Sequence, residues 1–204
     1  MIYNNKNKLI NGRTVDLKPG PRHPKDKRPQ RDMPFDIALR KFRKQIEKAG
    51  IVKELRARFP NHLLLVDLKT MDAGAYEAAP FYGAGADICT VLGVSGLATC
   101  AGVVSAANAT GAEAQIDLIN VGDKAACAQA CAEAGAQIVG VHTGLDAQAA
   151  GDTPFDDLAM IANLGLNVRV SVAGGINAST IQDVVRAGAD IIVVGAAIYG
   201  ADSP

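Results

Sequence analysis

The feature that most constrains the fold is an alternation of apolar strands and helical stretches that begins at Leu63. From there onward, an apolar run of strand length is followed by an Ala-rich helical pattern at steps of roughly 24 residues. This alternation is typical of a parallel sheet covered by helices. The predicted strands are Leu63–Asp67, Asp87–Leu92, Ala114–Ile119, Gln137–His142, Val168–Ala173 and Asp190–Gly195.

Three of the predicted helices end in nearly the same phrase. These phrases are Gly83-Ala-Gly-Ala-Asp87, Ala134-Gly-Ala-Gln137 and Arg186-Ala-Gly-Ala-Asp190. A glycine after the last helical turn ends the helix and lets the chain enter the next strand at once. The internal repeat favours a (β/α) barrel of the TIM type, in which functional groups come from the C-terminal ends of the strands.

Polar side chains follow the predicted strands at those ends. Residues two apart in a strand point to the same side, so Asp67 and Lys69 should share one face, with Asp72 in the connection that follows. Asp117 lies on the third strand, and His142 ends the fourth. The structural alternatives are a charged surface cluster and a buried histidine with satisfied hydrogen bonds, but the strand-end positions favour function.

The last two predicted strands end in glycine. Ala173-Gly-Gly-Ile176 follows the fifth strand, and Gly195 with Ala196 follows the sixth. Glycine lets backbone amides approach a ligand, and barrel enzymes commonly bind phosphate after their last two strands. We therefore expect Gly174, Gly175, Gly195 and Ala196 to bind a phosphate group, with simple tight turns as the alternative.

The net charge of zero is the sum of two parts of the chain with opposite charge. Residues 1–58 contain 17 Lys and Arg against 6 Asp and Glu, whereas the remainder contains 4 against 15. A basic segment usually contacts nucleic acid or another polyanion. The charge therefore favours a second partner for residues 1–58, unless it merely solvates the surface of a helical hairpin.

The basic segment divides into two predicted parts. Residues 1–32 are polar and Pro-rich, so we expect them to be mobile, although Asn11-Gly12 is a type I′ hairpin signal. Residues 33–59 predict two amphipathic helices that break at Gly50. Residues 60–204 would then form the α/β domain.

The four cysteines are not spaced as a metal or redox motif. We expect Cys89, Cys100, Cys127 and Cys131 to be reduced and buried. No apolar run approaches the roughly 18 residues of a membrane span, and no signal-peptide pattern opens the chain. The expected location is the cytosol.

Several phrases of the α/β part resemble 3-hexulose-6-phosphate synthase, a member of the barrel superfamily that also contains orotidine-phosphate and keto-gulonate-phosphate decarboxylases. The phrases are Asp67-Leu-Lys-Thr-Met-Asp72-Ala-Gly, Thr90-Val-Leu-Gly-Val, Gly140-Val-His-Thr-Gly-Leu-Asp146, Val172-Ala-Gly-Gly-Ile-Asn177 and Val193-Val-Gly-Ala-Ala-Ile. The similarity spans about residues 54–204. It implies an aldehyde-lyase that condenses formaldehyde with ribulose 5-phosphate, with the related decarboxylase as an alternative.

The resemblance also implies roles for individual residues. Asp67 would bind Mg²⁺, and Lys69 would stabilise the enediolate. His142 would transfer protons, and Asp72 would orient Lys69 and reach the neighbouring subunit of a homodimer. Asp117 would contact the sugar-phosphate substrate.

A second resemblance concerns residues 33–58. The run from Met33-Pro-Phe-Asp to Lys48-Ala-Gly50 and onward to Arg56 is similar to small-subunit bacterial ribosomal protein twenty-one, which implies binding of ribosomal RNA through residues 1–58. The segment stands where the synthase pattern would place its first two βα units. We therefore expect a TIM-type barrel without those two units, preceded by a basic helical hairpin, and weak or no synthase activity.

Overall fold

The computed structural model describes residues 7–10, 13–16 and 50–202. The chain divides into two compact units, Met1–Gly50 and Ile51–Pro204. In the first unit, strands β1 (Asn7–Ile10) and β2 (Arg13–Asp16) pair antiparallel, with Ile10 opposite Arg13. This register leaves two residues for the connection and confirms the predicted hairpin. The first predicted helix of the basic segment lies outside the described residues.

The described part of helix α1 covers 50–58, and from Ile51 onward it belongs to the second unit. The strands of this unit are β3 (Leu65–Thr70), β4 (Ile88–Leu92), β5 (Glu113–Asp117), β6 (Ile138–His142), β7 (Arg169–Ala173) and β8 (Ile191–Val193). Its other helices are α2 (Gly74–Tyr82), α3 (Leu97–Asn108), α4 (Lys124–Glu133), α5 (Leu145–Ala149), α6 (Phe155–Ala162), α7 (Ile181–Arg186) and α8 (Ala196–Tyr199).

The six strands form one parallel sheet in the order β3-β4-β5-β6-β7-β8. All six predicted strands are confirmed, with ends that shift by a few residues. The sheet curls with helices between its strands and forms a TIM-like half-barrel. In the described part of the chain, β3 and β8 are its edges, and Leu65 and Val193 there remain 37% and 42% exposed.

Small residues allow the helices to pack closely. A Cβ on Gly74 would lie 2.1 Å from the carbonyl oxygen of Thr99, so α2 can approach α3 only with glycine at that position. Between the helices and the sheet, the core is formed by fully buried aliphatic side chains such as Ile116, Val139 and Leu158. Burying each of these side chains stabilises the fold by roughly 1.5 to 3 kcal/mol.

The repeated helix endings build the same contact three times. Gly85, Gly135 and Gly188 adopt φ values of 104°, 90° and 97°, the left-handed region that favours glycine. The residue two positions after each glycine has a side-chain oxygen that accepts a backbone N–H at the beginning of the preceding strand. The pairs are Asp87 with Leu64 at 2.7 Å, Gln137 with Ala114 at 2.9 Å and Asp190 with Val170 at 2.7 Å. We call these contacts the strand-start clamps.

Two further expectations concern the cysteines and the membrane. All four cysteines are free thiols, and Cys89, Cys100 and Cys131 are buried, whereas Cys127 is partly exposed. Among the helices that the structure describes, none has the length and apolar character needed to cross a membrane.

Candidate functional site

Three charged or titratable side chains meet at the C-terminal ends of strands β3, β5 and β6. Asp117 Oδ2 accepts a hydrogen bond from Lys69 Nζ at 2.7 Å and lies 3.0 Å from His142 Nδ1. Lys69 lies near the end of β3, Asp117 ends β5 and His142 ends β6. The curl of the sheet brings these three strand ends together. The sequence predicted functional residues at the strand ends, and the structure places three of them in direct contact.

Asp117 is the centre of this cluster. Its side chain is 4% exposed, and its second oxygen, Oδ1, accepts the backbone N–H of Ile119 at 2.9 Å. Burial alone would raise the pKa of Asp117. The hydrogen bonds from His142, Lys69 and Ile119 outweigh burial and hold that pKa below its usual value. Asp117 is therefore a carboxylate at neutral pH, and its negative charge is matched by Lys69.

The contacts of Asp117 also assign the proton on His142. A carboxylate only accepts hydrogen bonds, so the ring nitrogen facing Asp117, Nδ1, must carry a hydrogen. Lys69 Nζ lies 3.5 Å from that nitrogen and cannot donate to it. The neutral ring therefore keeps its lone pair on Nε2. His142 is held in the tautomer that can accept a proton at Nε2.

Lys69 and Asp67 are neighbours, as the strand period predicted. Lys69 Nζ lies 3.3 Å from Asp67 Oδ2, and the Asp67 side chain is 53% exposed. Burial lowers the pKa of Lys69, but its hydrogen bond and ion pair with Asp117, together with the charge of Asp67, raise that pKa above its ordinary value. Lys69 is a fixed cation between a buried carboxylate and an open one.

The backbone at Lys69 departs from a regular strand. Lys69 has a φ of 48°, and the pairing of β3 with β4 shifts register between Val66 and Thr70. The side chain of Thr90, on β4, contacts both charged residues of this bulge. Its hydroxyl donates to Asp67 Oδ1 at 2.7 Å and accepts the Lys69 N–H at 3.0 Å. Sequence reasoning missed Thr90 because threonine inside a strand is ordinarily only a good strand former.

Asp72 lies apart from this cluster. Its Oδ1 accepts the N–H of Ala73 at 2.7 Å, and its side chain is exposed. Within the described residues, no hydrogen bond or ion pair joins Asp72 to Lys69. The orienting role expected of Asp72 stays a prediction.

The predicted phosphate glycines follow the neighbouring strands β7 and β8. Gly174 has a φ of 113°, and a Cβ there would lie 2.4 Å from the carbonyl oxygen of Thr143, which follows His142. Gly175 also has a positive φ, of 66°. Gly195 directly precedes α8, whose first residue is Ala196. Glycine is thus required at 174 and 175 by the backbone, and the binding of phosphate by this group stays a prediction.

A cavity of about 740 Å³ lies at the opposite end of the sheet. It is lined by residues of α4, by the residues leading into β6, including Gln137, and by the residues leading to Arg169 at the start of β7. Arg169 pairs there with Glu113. The charged cluster at the strand ends contains Lys69 and Asp117, which both have a shifted pKa, so we place the chemistry at the cluster rather than at this cavity.

A divalent cation has a limited ligand set at the cluster. In residues 7–10, 13–16 and 50–202, no group of three His, Cys, Asp or Glu side chains is arranged to hold a metal. Asp67 offers one carboxylate that is open to solvent. Mg²⁺ commonly binds one or two carboxylates and completes its shell with water and substrate oxygens. The residues therefore fit an ion brought together with substrate, and not a preformed metal site.

Comparison with known proteins extends this geometry. The model of the orotidine 5′-phosphate decarboxylase / HUMPS family matches residues 37–204. A 3-hexulose-6-phosphate synthase of Methylomonas aminofaciens is 64% identical over 154 residues, which are 76% of this chain and 74% of that protein. The synthase of Mycobacterium gastri is 42% identical over 162 residues, covering 78% and 77% of the two chains.

Solved structures agree with the half-barrel. The crystal structure of a 3-hexulose-6-phosphate synthase from Salmonella typhimurium superposes with a TM-score of 0.74 at 38% identity, covering 76% of this chain and 74% of that one. A 3-keto-L-gulonate-6-phosphate decarboxylase from Vibrio cholerae gives 0.66 at 30% identity, covering 76% and 72%. Sequence, fold and strand-end cluster agree, and the chain belongs to the orotidine 5′-phosphate decarboxylase / HUMPS family.

Proposed function

We propose that this chain is an aldehyde-lyase that condenses formaldehyde with ribulose 5-phosphate to give 3-hexulose 6-phosphate. The observation that carries the proposal is the Lys69–Asp117–His142 cluster in a chain 64% identical to a 3-hexulose-6-phosphate synthase. Identity to the keto-gulonate-phosphate decarboxylase of Vibrio cholerae is 30%, so synthesis is favoured over decarboxylation.

The chemistry requires a carbanion equivalent at C1 of the ketose. His142 Nε2 takes a proton from C1, and the electron pair moves onto the C2 oxygen to give an enediolate. C1 then attacks the formaldehyde carbon, forming the new C–C bond, and the proton passes to the former formaldehyde oxygen. The old C2 carbonyl becomes C3 of the product, which is a 3-hexulose.

Lys69 stabilises the negative charge that develops on the C2 oxygen. Its ammonium is already oriented by Asp117 and Asp67, so little reorganisation is needed when the charge forms. Asp117 has two tasks, because the same Oδ2 atom orients Lys69 Nζ and fixes the His142 ring. We assign Asp117 to positioning these groups, in addition to the contact with substrate expected from its sequence position.

The remaining parts of the site concern cofactor and phosphate. When bound, Mg²⁺ would polarise the ketose carbonyl, with Asp67 as its protein ligand. Gly174 and Gly175 after β7, with Gly195 and Ala196 after β8, would receive the substrate phosphate through backbone N–H groups. A homodimer, in which Asp72 reaches the neighbouring site, and a cytosolic location complete the proposal.

The direct test follows ¹³C-formaldehyde in the presence of ribulose 5-phosphate and Mg²⁺ by NMR. The expected result is a ¹³C hydroxymethyl carbon coupled into a hexulose phosphate. Lys69→Ala and His142→Gln should each lower the rate by about 100-fold or more. The matched controls Lys53→Ala and His62→Gln change exposed residues outside the cluster and should retain the rate.

Two outcomes would contradict the proposal. One is the absence of product from the folded chain, and the other is equal loss of rate in the control variants. Release of CO₂ from 3-keto-L-gulonate 6-phosphate, without condensation, would favour the decarboxylase. Because the described sheet has six strands, we expect turnover well below that of a synthase with eight. Comparable turnover would contradict that expectation.

Binding of ribosomal RNA by residues 1–58 stays a prediction. The resembling stretch falls largely outside the described residues, and the family match already begins at residue 37. Salt-dependent co-sedimentation with ribosomes, lost when residues 1–58 are removed, would support it.

A further inference from the structure

The Thr90 hydroxyl forms hydrogen bonds with both charged residues of β3, Asp67 and Lys69. Thr90 is 2% exposed and lies on β4, which has a neighbouring strand on each side. The hydroxyl donates its one hydrogen to Asp67 Oδ1 and accepts the Lys69 N–H on the oxygen. A hydroxyl has one donor hydrogen and two acceptor lone pairs, so this geometry fixes the direction of both bonds.

The bulge explains why a side-chain acceptor is needed. Leu65 pairs with Ile88 and Val66 with Cys89, but the next pair joins Thr70 to Val91. Two additional residues of β3 are therefore fitted between successive pairs, and the Lys69 N–H finds its acceptor in a side chain. A non-glycine residue with a φ of 48° is sustained only when its surroundings hold it in place.

The consequence reaches the reacting groups. With Oδ1 of Asp67 bound to Thr90, Oδ2 faces Lys69 Nζ at 3.3 Å. With the Lys69 backbone held by the same hydroxyl, its side chain crosses to Asp117 at 2.7 Å. One buried oxygen atom thus orients both members of the Asp67–Lys69 pair.

We propose that Thr90 is a positioning residue, whose hydroxyl sets the bulged backbone and the carboxylate orientation that aim Lys69 at the reacting oxygen. The catalytic part of this inference rests on the proposed condensation, whereas the positioning itself does not. Threonine here is needed for its hydroxyl, and valine of the same shape cannot replace it.

The chain offers a closely matched control. Thr70 lies on the neighbouring strand β3, is 1% exposed, and its Oγ1 has no hydrogen-bond partner in the described structure. The experiment compares Thr90→Val, Thr90→Ser and Thr70→Val. Both valine variants lose one buried hydroxyl, but only Thr90→Val loses bonds to Asp67 and Lys69.

The first readout is independent of turnover. NMR measures hydrogen exchange of the Lys69 amide. In Thr90→Val, we expect this exchange to be at least about 10-fold faster. Thr90→Ser should restore the parent rate, and Thr70→Val should leave it unchanged. An unchanged exchange rate in Thr90→Val would overturn the inference.

The second readout is kinetic. Thr90→Val should lower kcat and kcat/KM together, by about 10-fold to 100-fold, because the lost orientation matters in the transition state. An equal loss in Thr70→Val would point to general damage and would overturn the inference, as would a failure of Thr90→Ser to recover. If the parent chain gives no product, the proposed function fails, and the NMR comparison still decides whether Thr90 positions Lys69.

Discussion

Replacing Asp117 with Asn removes the negative charge at the centre of the cluster while retaining its shape. The amide oxygen can still accept the Ile119 N–H, but the amide NH₂ would face Lys69 Nζ and the Nδ1–H of His142, which are both donors. Two hydrogen bonds to a buried carboxylate are lost.

The magnitude follows from the burial of the partners. Hydrogen bonds to charged groups contribute about 1.5 kcal/mol each at the lower end of their range, which gives about 3 kcal/mol for two. Breaking a fully buried ion pair costs roughly 3 to 5 kcal/mol. Lys69 is 37% exposed and can turn towards water, so we expect the lower value, about 3 kcal/mol.

The assay is urea unfolding at pH 7, with Asp157→Asn as the matched control. Asp157 pairs with Lys124 at 3.0 Å, but its side chain is 36% exposed. Such a surface pair contributes roughly 0 to 1 kcal/mol. We expect the midpoint to fall by about 1.5 M for Asp117→Asn, and by less than about 0.5 M for the control. Equal shifts for the two variants would refute the reasoning.

The pH dependence gives an independent check on the same variant. The folded pKa of Asp117 is lowered, so its contribution is present above the ordinary value of about 3.9 and is lost as pH falls through the folded value. The stability gap between the parent and Asp117→Asn should therefore be constant from about pH 5 to 7 and narrow below about pH 4. A gap of unchanged size down to pH 2.5 would contradict the assignment.

Three further predictions follow from local geometry. Gly174→Ala should lower the free energy of unfolding in urea by about 2 kcal/mol more than Gly151→Ala does, because both glycines have a positive φ but only Gly174 lies against a carbonyl oxygen. Equal losses in the two variants would contradict the importance of this contact. Asp190→Ala should destabilise the fold by about 1 kcal/mol, since a strand N–H loses its acceptor; an unfolding midpoint within error of the parent would show that the clamp contributes nothing. Burial raises the pKa of Cys89 to about 12, so its alkylation at pH 8, followed by mass spectrometry, should be roughly 1,000-fold slower than that of an ordinary thiol; rapid alkylation of the native protein would exclude that environment.

The sheet was predictable because its signal is local and repeated. Each predicted strand is rich in apolar residues, and each of the three repeated phrases marks a helix end with a glycine that the structure shows at positive φ. The strand ends were less certain. Thr70 belongs to β3, since the bulge extends the strand beyond the apolar run that predicted it.

The residues of the site could be predicted from the sequence, but the contacts between them could not. The two-residue period placed Asp67 beside Lys69, as found. The link of Asp117 to Lys69 and His142 depends on the curl across four strands, which no local pattern specifies. Thr90 was missed for the same reason, because its partners lie more than twenty residues earlier in the chain.

The strand-start clamps bear on how such a sheet can form. They join residues separated by only 23, 23 and 20 positions, so each closes a short loop within one βα unit. Contacts of short sequence separation form quickly and require little loop-closure entropy. Each of the three strand pairs that carry a clamp can therefore set its register locally, before the ends of the sheet meet. The clamps lie at the strand starts, and the proposed site lies at the opposite ends of the strands.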